Sequence, residues 1–233
     1  MLLSLTMLQG NKEKVNFPSE DGIEITADKY LVNEEYPYVL LFHQAGSSRG
    51  EFRDIAEKIL KLRYNCVAVD LRSGDNDNFV NNETASRARG AGKSVNYLDA
   101  RDDMVAAIDY AYDLNARDVI LLGSSYSASL ALLEGMTHPR VGAVIAFSPG
   151  EYFGNDLRLE DSLKTVSKPL FVAVTNREQP YVKQMLSAYS EENYTLFQPD
   201  TPGVHGARAL WDDNPGKDEY WLALLMFINN LNK

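Results

Sequence analysis

The stretch Val119-Ile120-Leu121-Leu122-Gly123-Ser124-Ser125-Tyr126-Ser127-Ala128-Ser129 decides how this chain is read. An apolar run gives way abruptly to small residues, and Leu130 and Leu133 then recur at helical spacing. That order specifies a buried strand, a tight turn and a helix. The turn is sharp and brings backbones close together, so the residues two before and two after its tip must be small. Gly123 and Ser127 meet that condition, with Ser125 at the tip. A serine held there stands clear of the sheet edge, with backbone N–H groups and the positive end of a helix dipole beside it. Ser127 replaces the usual glycine of such a turn, a change its small side chain accommodates. The same residues also suit a serine-rich helix N-cap, so the turn alone does not fix the chemistry.

Five more apolar runs lie around this one: Tyr38-Val39-Leu40-Leu41-Phe42, Cys66-Val67-Ala68-Val69, Val141 to Phe147, Pro169-Leu170-Phe171-Val172-Ala173-Val174 and Tyr194-Thr195-Leu196-Phe197. Short unbroken runs are typical of strands buried on both faces. Between them Phe52, Ile55, Ala56, Ile59 and Leu60 recur at helical spacing, as do Met104, Ala107, Ile108 and Ala111, and Val182, Met185, Leu186 and Tyr189. Strands alternating with helices predict right-handed crossovers, hence a mostly parallel sheet with helices on both faces. Ahead of them, Val15-Asn16-Phe17 and Gly22 to Val32 flank the turn Glu20-Asp21-Gly22, which predicts an antiparallel hairpin. No repeat, low-complexity tract or linker intervenes, so residues 1–233 read as a single α/β domain. In open sheets of this kind ligands bind beyond the carboxyl ends of the strands, so chemistry is expected in the residues following each run.

Composition narrows the function classes. With 23 basic and 33 acidic side chains the net charge is −10, which excludes nucleic-acid binding through a general basic surface. The single cysteine, Cys66, excludes an intramolecular disulfide framework and a multi-cysteine zinc site. No metal or cofactor is expected. The longest apolar run, Trp221 to Ile228, is far short of the roughly 18 residues a membrane span requires and reads as a buried terminal helix. Residues 1–12 read as an N-terminal extension whose first nine residues, Met1 to Gln9, are apolar. That segment suits either the end of an export signal or a short cover lying on the body, so cytoplasmic and exported locations both stand.

A serine hydroxyl is a weak nucleophile and needs a base, which in turn needs an orienting acid. Of the three histidines, His43 precedes the turn and His138 falls between a helix and the next strand, at the wrong edge of the sheet. His205 lies in the loop Pro199-Asp200-Thr201-Pro202-Gly203-Val204-His205-Gly206 after the last strand, on the same edge as Ser125, and is the candidate base. The candidate acid is Glu178, in Thr175-Asn176-Arg177-Glu178 after the preceding strand, with Glu151 and Asp200 as competitors. An oxyanion would be met by the Tyr126 N–H and by one from His43-Gln44-Ala45-Gly46, for which Ala45 is the choice. His43 is then a loop-shaping residue.

These motifs, His43-Gln44-Ala45-Gly46, Gly123-Ser124-Ser125-Tyr126-Ser127, Thr175-Asn176-Arg177-Glu178 and Gly203-Val204-His205-Gly206, resemble those of the α/β-hydrolase superfamily, and the chain's size resembles its dienelactone hydrolase-like branch. The resemblance runs from about residue 38 to the C-terminus. It implies an eight-stranded, mostly parallel sheet and a serine hydrolase of small ester substrates, with Ser125, His205 and Glu178 as triad. Members of that branch typically carry a cysteine nucleophile, so lactone opening is not implied. Only a short helix fits between Phe147 and Lys168, which predicts an open cleft without a large lid. Competing readings are a catalytically silent binding protein of the same fold, and acyl transfer or peptide cleavage by the same residues.

For the substrate, the candidates are Gln44, Tyr152 and the basic side chains Arg87 and Arg89. The two arginines sit in one long irregular segment, Arg72 to Asn96, where they and Lys93 are expected either to hold a substrate carboxylate or to be a solvated basic loop. Tyr126, Tyr152 and Phe153 are candidates for an apolar acyl pocket. The oligomeric state is left open.

Overall fold

The structure, a computed structural model, describes residues 10–115, 117–163, 168–189, 192 and 194–231. Eight strands, β1 (Asn11–Pro18), β2 (Glu24–Leu31), β3 (Tyr38–Phe42), β4 (Asn65–Val69), β5 (Val119–Ser124), β6 (Val141–Phe147), β7 (Leu170–Ala173) and β8 (Tyr194–Phe197), form one sheet in the order β1-β2-β4-β3-β5-β6-β7-β8. β2 runs antiparallel to β1 and β4, and every other pairing is parallel. The central strands β3, β4 and β5 are buried along their whole length, which is why their sequences are unbroken apolar runs.

Alternate side chains of these strands feed two cores. On one face Leu40, Phe42 and Leu121 pack with Met104, Ala107 and Ile108 of α3 (Arg101–Asn115) and with Leu130 of α4 (Tyr126–Gly135). On the other, Val39, Leu41 and Leu122 pack with Ile55 and Ile59 of α1 (Arg53–Leu60) and with Tyr220, Leu224 and Phe227 of α7 (Lys217–Leu231). The apolar run of α7 is only half buried, contrary to the sequence reading: Leu222 and Met226, four residues apart on the outer face, are 60% and 61% exposed.

Two further expectations are corrected. Asn11 and Lys12 already belong to β1, so an extension ahead of the fold is shorter than residues 1–12; Met1 to Gln9 lie outside the described residues. The segment 72–96 is not irregular throughout but carries α2 (Glu83–Gly90), started by the Asn82 side chain, which accepts the Ala85 N–H at 2.8 Å. Its buried residues are Thr84, Ala85 and Ala88, small side chains that leave no apolar stripe to read. The two shorter helices are α5 (Leu159–Ser162) and α6 (Gln179–Met185). The first is the short helix expected between Phe147 and Lys168. No described helix is long and apolar enough to cross a membrane.

Candidate active site

Strand β5 delivers Ser125 at φ 60°, ψ −123°, the left-handed conformation that a sharp strand-to-helix turn imposes on its tip. The surroundings leave room for nothing else. A Cβ on Gly123 would lie 2.4 Å from the Ser127 carbonyl oxygen and 2.5 Å from the Ala128 Cα. Ser127 does more than fit: its hydroxyl donates to the Phe42 carbonyl at 2.7 Å and accepts the Ser124 N–H at 2.9 Å, tying the turn to the end of β3.

Three strand ends then converge. Ser125 Oγ lies 2.8 Å from His205 Nε2, and His205 Nδ1 lies 2.6 Å from Glu178 Oε1. With a carboxylate facing Nδ1, the imidazole proton belongs there, which turns the Nε2 lone pair toward the serine hydroxyl. Ser125 is 7% exposed, whereas the His205 side chain is 46% exposed, so the serine is sheltered and the imidazole borders solvent. Burial pushes the Glu178 carboxyl up, but hydrogen bonds from His205, the Thr175 N–H and the Ser148 hydroxyl outweigh it and hold the group below its usual range.

Serine side chains that the sequence reading passed over hold this arrangement. Ser148, just beyond β6 and at φ 54°, donates to Glu178 Oε2 at 2.8 Å and accepts the Gly206 N–H at 3.0 Å. Ser124 accepts the next N–H, that of Ala207, at 2.8 Å. The two N–H groups following His205 are therefore docked on the ends of β6 and β5. Gly206 permits this because a Cβ there would stand 2.6 Å from Ser124 Oγ. The available signal was positional: Ser124 and Ser148 both sit at carboxyl ends of strands, where ligand-binding residues collect.

The competing carboxylates are engaged elsewhere. Glu151 accepts the Leu159 and Glu160 N–H groups at 2.7 and 2.9 Å and so caps α5, while Asp200 is exposed. His138 sits in the α4–β6 turn, where its Nδ1 accepts the Arg140 N–H.

Next to the β5–α4 turn, the loop after β3 is shaped by two buried titratable groups. His43 Nε2 accepts the Leu71 N–H at 2.9 Å and Nδ1 donates to the Gln44 carbonyl at 2.8 Å, with burial pushing its pKa down to about 4. Glu51, 1% exposed, accepts the Gln44 N–H at 2.9 Å. The Ala45 N–H has no backbone partner among the described residues, and that of Tyr126, first in α4, has no intrahelical acceptor. Gln44 turns its side-chain oxygen toward Gly206 rather than into open space.

Neither Arg87 nor Arg89 hydrogen-bonds Ser125, His205 or Glu178. Arg87 donates to the Glu24 carbonyl and the Thr26 hydroxyl of β2, Arg89 to the Gly74 carbonyl and Lys93 to the Asp21 carbonyl. Tyr152 is brought to the loop after β6, where its hydroxyl donates to the Ser148 carbonyl at 3.2 Å. Phe153 is buried near it. Among the described residues no group of three His, Cys, Asp or Glu side chains is arranged to hold a metal ion.

Compared by sequence, the chain matches no family model and no curated protein. Compared by structure, it is similar to an esterase of Pyrococcus furiosus, with a TM-score of 0.73 at 16% identity over 96% of this chain and 92% of that one. A putative dienelactone hydrolase of Klebsiella pneumoniae gives 0.71 at 13% identity over 94% and 98% of the two chains. A dienelactone hydrolase of Anabaena variabilis gives 0.69 at 19% identity over 94% and 96%. The eight-stranded, mostly parallel sheet with helices on both faces is thus the α/β-hydrolase fold, in the form shared by dienelactone hydrolases and small esterases.

Proposed function

We propose that this chain is a serine hydrolase that cleaves carboxylic esters through an acyl-enzyme. Ser125 Oγ attacks the carbonyl carbon while His205 Nε2 takes its proton. Glu178 keeps the imidazole in the required tautomer and stabilises the cation that forms. The Ala45 and Tyr126 N–H groups receive the developing oxyanion. His205 then gives its proton to the departing alcohol, and water, deprotonated by the same nitrogen, releases the acid and restores Ser125.

The observation that carries this reading is the unbroken chain of hydrogen bonds Ser125 Oγ, His205 Nε2, His205 Nδ1, Glu178 Oε1, at 2.8 and 2.6 Å, assembled from residues 80 and 27 positions apart. A helix N-cap serine needs no imidazole on its hydroxyl, and Ser125 makes no side-chain capping bond to α4.

The test is hydrolysis of simple ethyl esters by the parent and by Ser125→Ala and Glu178→Gln. Removing a triad member typically lowers turnover by about 10⁴-fold or more. The expected result is loss of nearly all turnover in Ser125→Ala, with circular dichroism unchanged. Retention of most activity in that variant contradicts the assignment.

A further inference from the structure

Two acidic residues join the loop after β3 to the segment that follows His205. Glu51, buried in the short helical turn Arg49–Phe52, accepts the Gln44 N–H at 2.9 Å through Oε2, and its backbone carbonyl accepts the Trp211 indole N–H at 2.9 Å. Asp77 accepts the Ser47 hydroxyl and, at 2.8 Å, the Arg208 guanidinium. Gln44 and Ser47 bracket Ala45, whereas Arg208 and Trp211 come three and six residues after His205.

The peptide unit between Gln44 and Ala45 carries the Ala45 N–H, and in a planar trans peptide that N–H points away from the carbonyl of the same unit. The Gln44 carbonyl is held by His43 Nδ1 at 2.8 Å and by the Ser47 N–H at 3.3 Å. Glu51 holds the other side of Gln44, its own N–H. With a bond on each side, Gln44 cannot turn about its Cα without breaking one of them, so the Ala45 N–H keeps one direction.

Glu51 Oε1 is buried and, among the described residues, meets no hydrogen-bond donor; the side-chain oxygen of Gln44 is buried without a donor as well. A buried carboxylate with an unpaired oxygen is costly, and the neutral acid replaces that unpaired acceptor by a hydroxyl that donates. Burial pushes the Glu51 carboxyl up, against the Ser124, Gln44 and Arg208 groups that oppose it. A neutral acid still accepts the Gln44 N–H, and it places no negative charge beside a developing oxyanion.

Resting on the ester-hydrolase reading, we propose that Glu51, as the neutral acid, is a positioning residue for the oxyanion: it fixes Gln44 so that the Ala45 N–H meets the charge that develops once Ser125 attacks. Glu51 acts through the loop and not on the substrate itself. Its effect therefore falls on the transition state and not on binding of the ester.

The experiment measures kcat and KM for ethyl butyrate, the inhibition constant of 1,1,1-trifluorohexan-2-one and fluorophosphonate labelling in the full chain and in Glu51→Ala, Glu51→Asp and Glu51→Gln. Ser125 Oγ adds to the ketone carbon as its proton passes to His205, which leaves a hemiketal oxyanion where the tetrahedral intermediate would stand. Losing one oxyanion donor typically costs about 10² to 10³ in turnover. Glu51→Ala is expected to lower kcat at least about tenfold, toward that limit, to raise the ketone's inhibition constant in parallel and to leave KM within about threefold. Glu51→Asp, whose carboxyl is withdrawn by one methylene, loses a smaller factor, at least about threefold in kcat. Glu51→Gln keeps an acceptor for the Gln44 N–H and supplies donor hydrogens in place of the acid's, so kcat is restored to within about twofold of the parent.

A parent that labels at Ser125, beside a Glu51→Ala variant whose kcat falls less than tenfold or whose loss lies in KM, overturns the positioning role alone. A Glu51→Gln variant as slow as Glu51→Ala overturns the neutral acid. Should Glu51→Ala fail to fold, a Glu51→Asp variant with the parent's kcat and ketone affinity overturns the role independently. A folded parent that neither labels nor hydrolyses ethyl butyrate overturns the hydrolase reading and the role of Glu51 with it.

Discussion

The hydroxyl of Ser148 joins the loop that carries Glu178 to the loop that carries His205, since it bonds both Glu178 and the Gly206 N–H. A hydrogen bond to a charged group is worth about 1.5–3 kcal/mol, and each 1.36 kcal/mol is a factor of ten in rate. Ser148→Ala is accordingly expected to lower kcat/KM on an ethyl ester by about tenfold or more while the fold persists; unchanged kcat/KM contradicts the linking role. His43 makes a prediction in pH. Its folded pKa is depressed from 6.5 to about 4 by burial. Between those values the unfolded chain binds a proton that the folded chain does not, so stability falls as pH drops through that window. Urea midpoints of the parent and of the non-titrating His43→Gln are expected to diverge most at pH 7.5 and to draw together toward pH 4; parallel pH dependences contradict it. Ser125 and His205 were legible in the sequence because each follows a strand run that the sheet brings to one edge. Ser148 was not, because its role arises only when β6, β7 and the last loop lie side by side.

Among the elements, the turn from β5 to α4 carries the sharpest expectation. The sequence signal, small residues about Ser125, was enough to place the turn, but it treated Ser127 as a tolerated substitute for glycine. Ser127 instead holds the Phe42 carbonyl and the Ser124 N–H. Ser127→Gly, which restores the commoner form of the motif, is expected to destabilise the protein by roughly 1–2 kcal/mol, from one lost buried hydrogen-bonding group and added backbone freedom. Denaturant unfolding measures it, and a variant as stable as the parent contradicts it. Helix α2 shows the opposite failure of legibility. A helix whose buried face is Thr84, Ala85 and Ala88 has no hydrophobic periodicity, and its surest sign was the single cap at Asn82. Glu151 caps helix α5 through the Leu159 and Glu160 N–H groups, whereas Glu178 bonds His205. Glu151→Gln weakens a cap and is expected to change kcat/KM less than about threefold, against a loss of about 10⁴-fold for Glu178→Gln. Equal losses in the two variants contradict the division of labour.

Across the whole molecule, ion pairs clamp the antiparallel hairpin to the parallel sheet. Arg72, 2% exposed, bonds Asp103 of α3 through its backbone and guanidinium nitrogens at 2.6–2.9 Å and reaches Asp21 of the β1–β2 turn at 2.9 and 3.0 Å. Burial pushes the Asp103 carboxyl up, and Arg72 is what opposes it. Arg72→Ala leaves that buried carboxylate without its cation and is expected to cost about 3–5 kcal/mol in urea unfolding. A smaller cost, below about 1 kcal/mol, contradicts the clamp. The sequence read the strands and the hairpin but not the exchange of β3 and β4, because apolar runs state burial and not neighbours. The same limit applied to Arg87 and Arg89, which the sequence left as either a substrate-carboxylate site or a solvated basic loop until the fold laid α2 against β2.

In the proposed mechanism Ser125 is a nucleophile activated by His205. The most direct measurement is fluorophosphonate labelling followed by peptide mass spectrometry on the parent, Ser125→Ala and His205→Ala. The expected result is a single adduct at Ser125 in the parent, none in Ser125→Ala and at least hundredfold slower labelling in His205→Ala. A folded parent that stays unlabelled, or an adduct at Ser125 that forms as fast without His205, contradicts it.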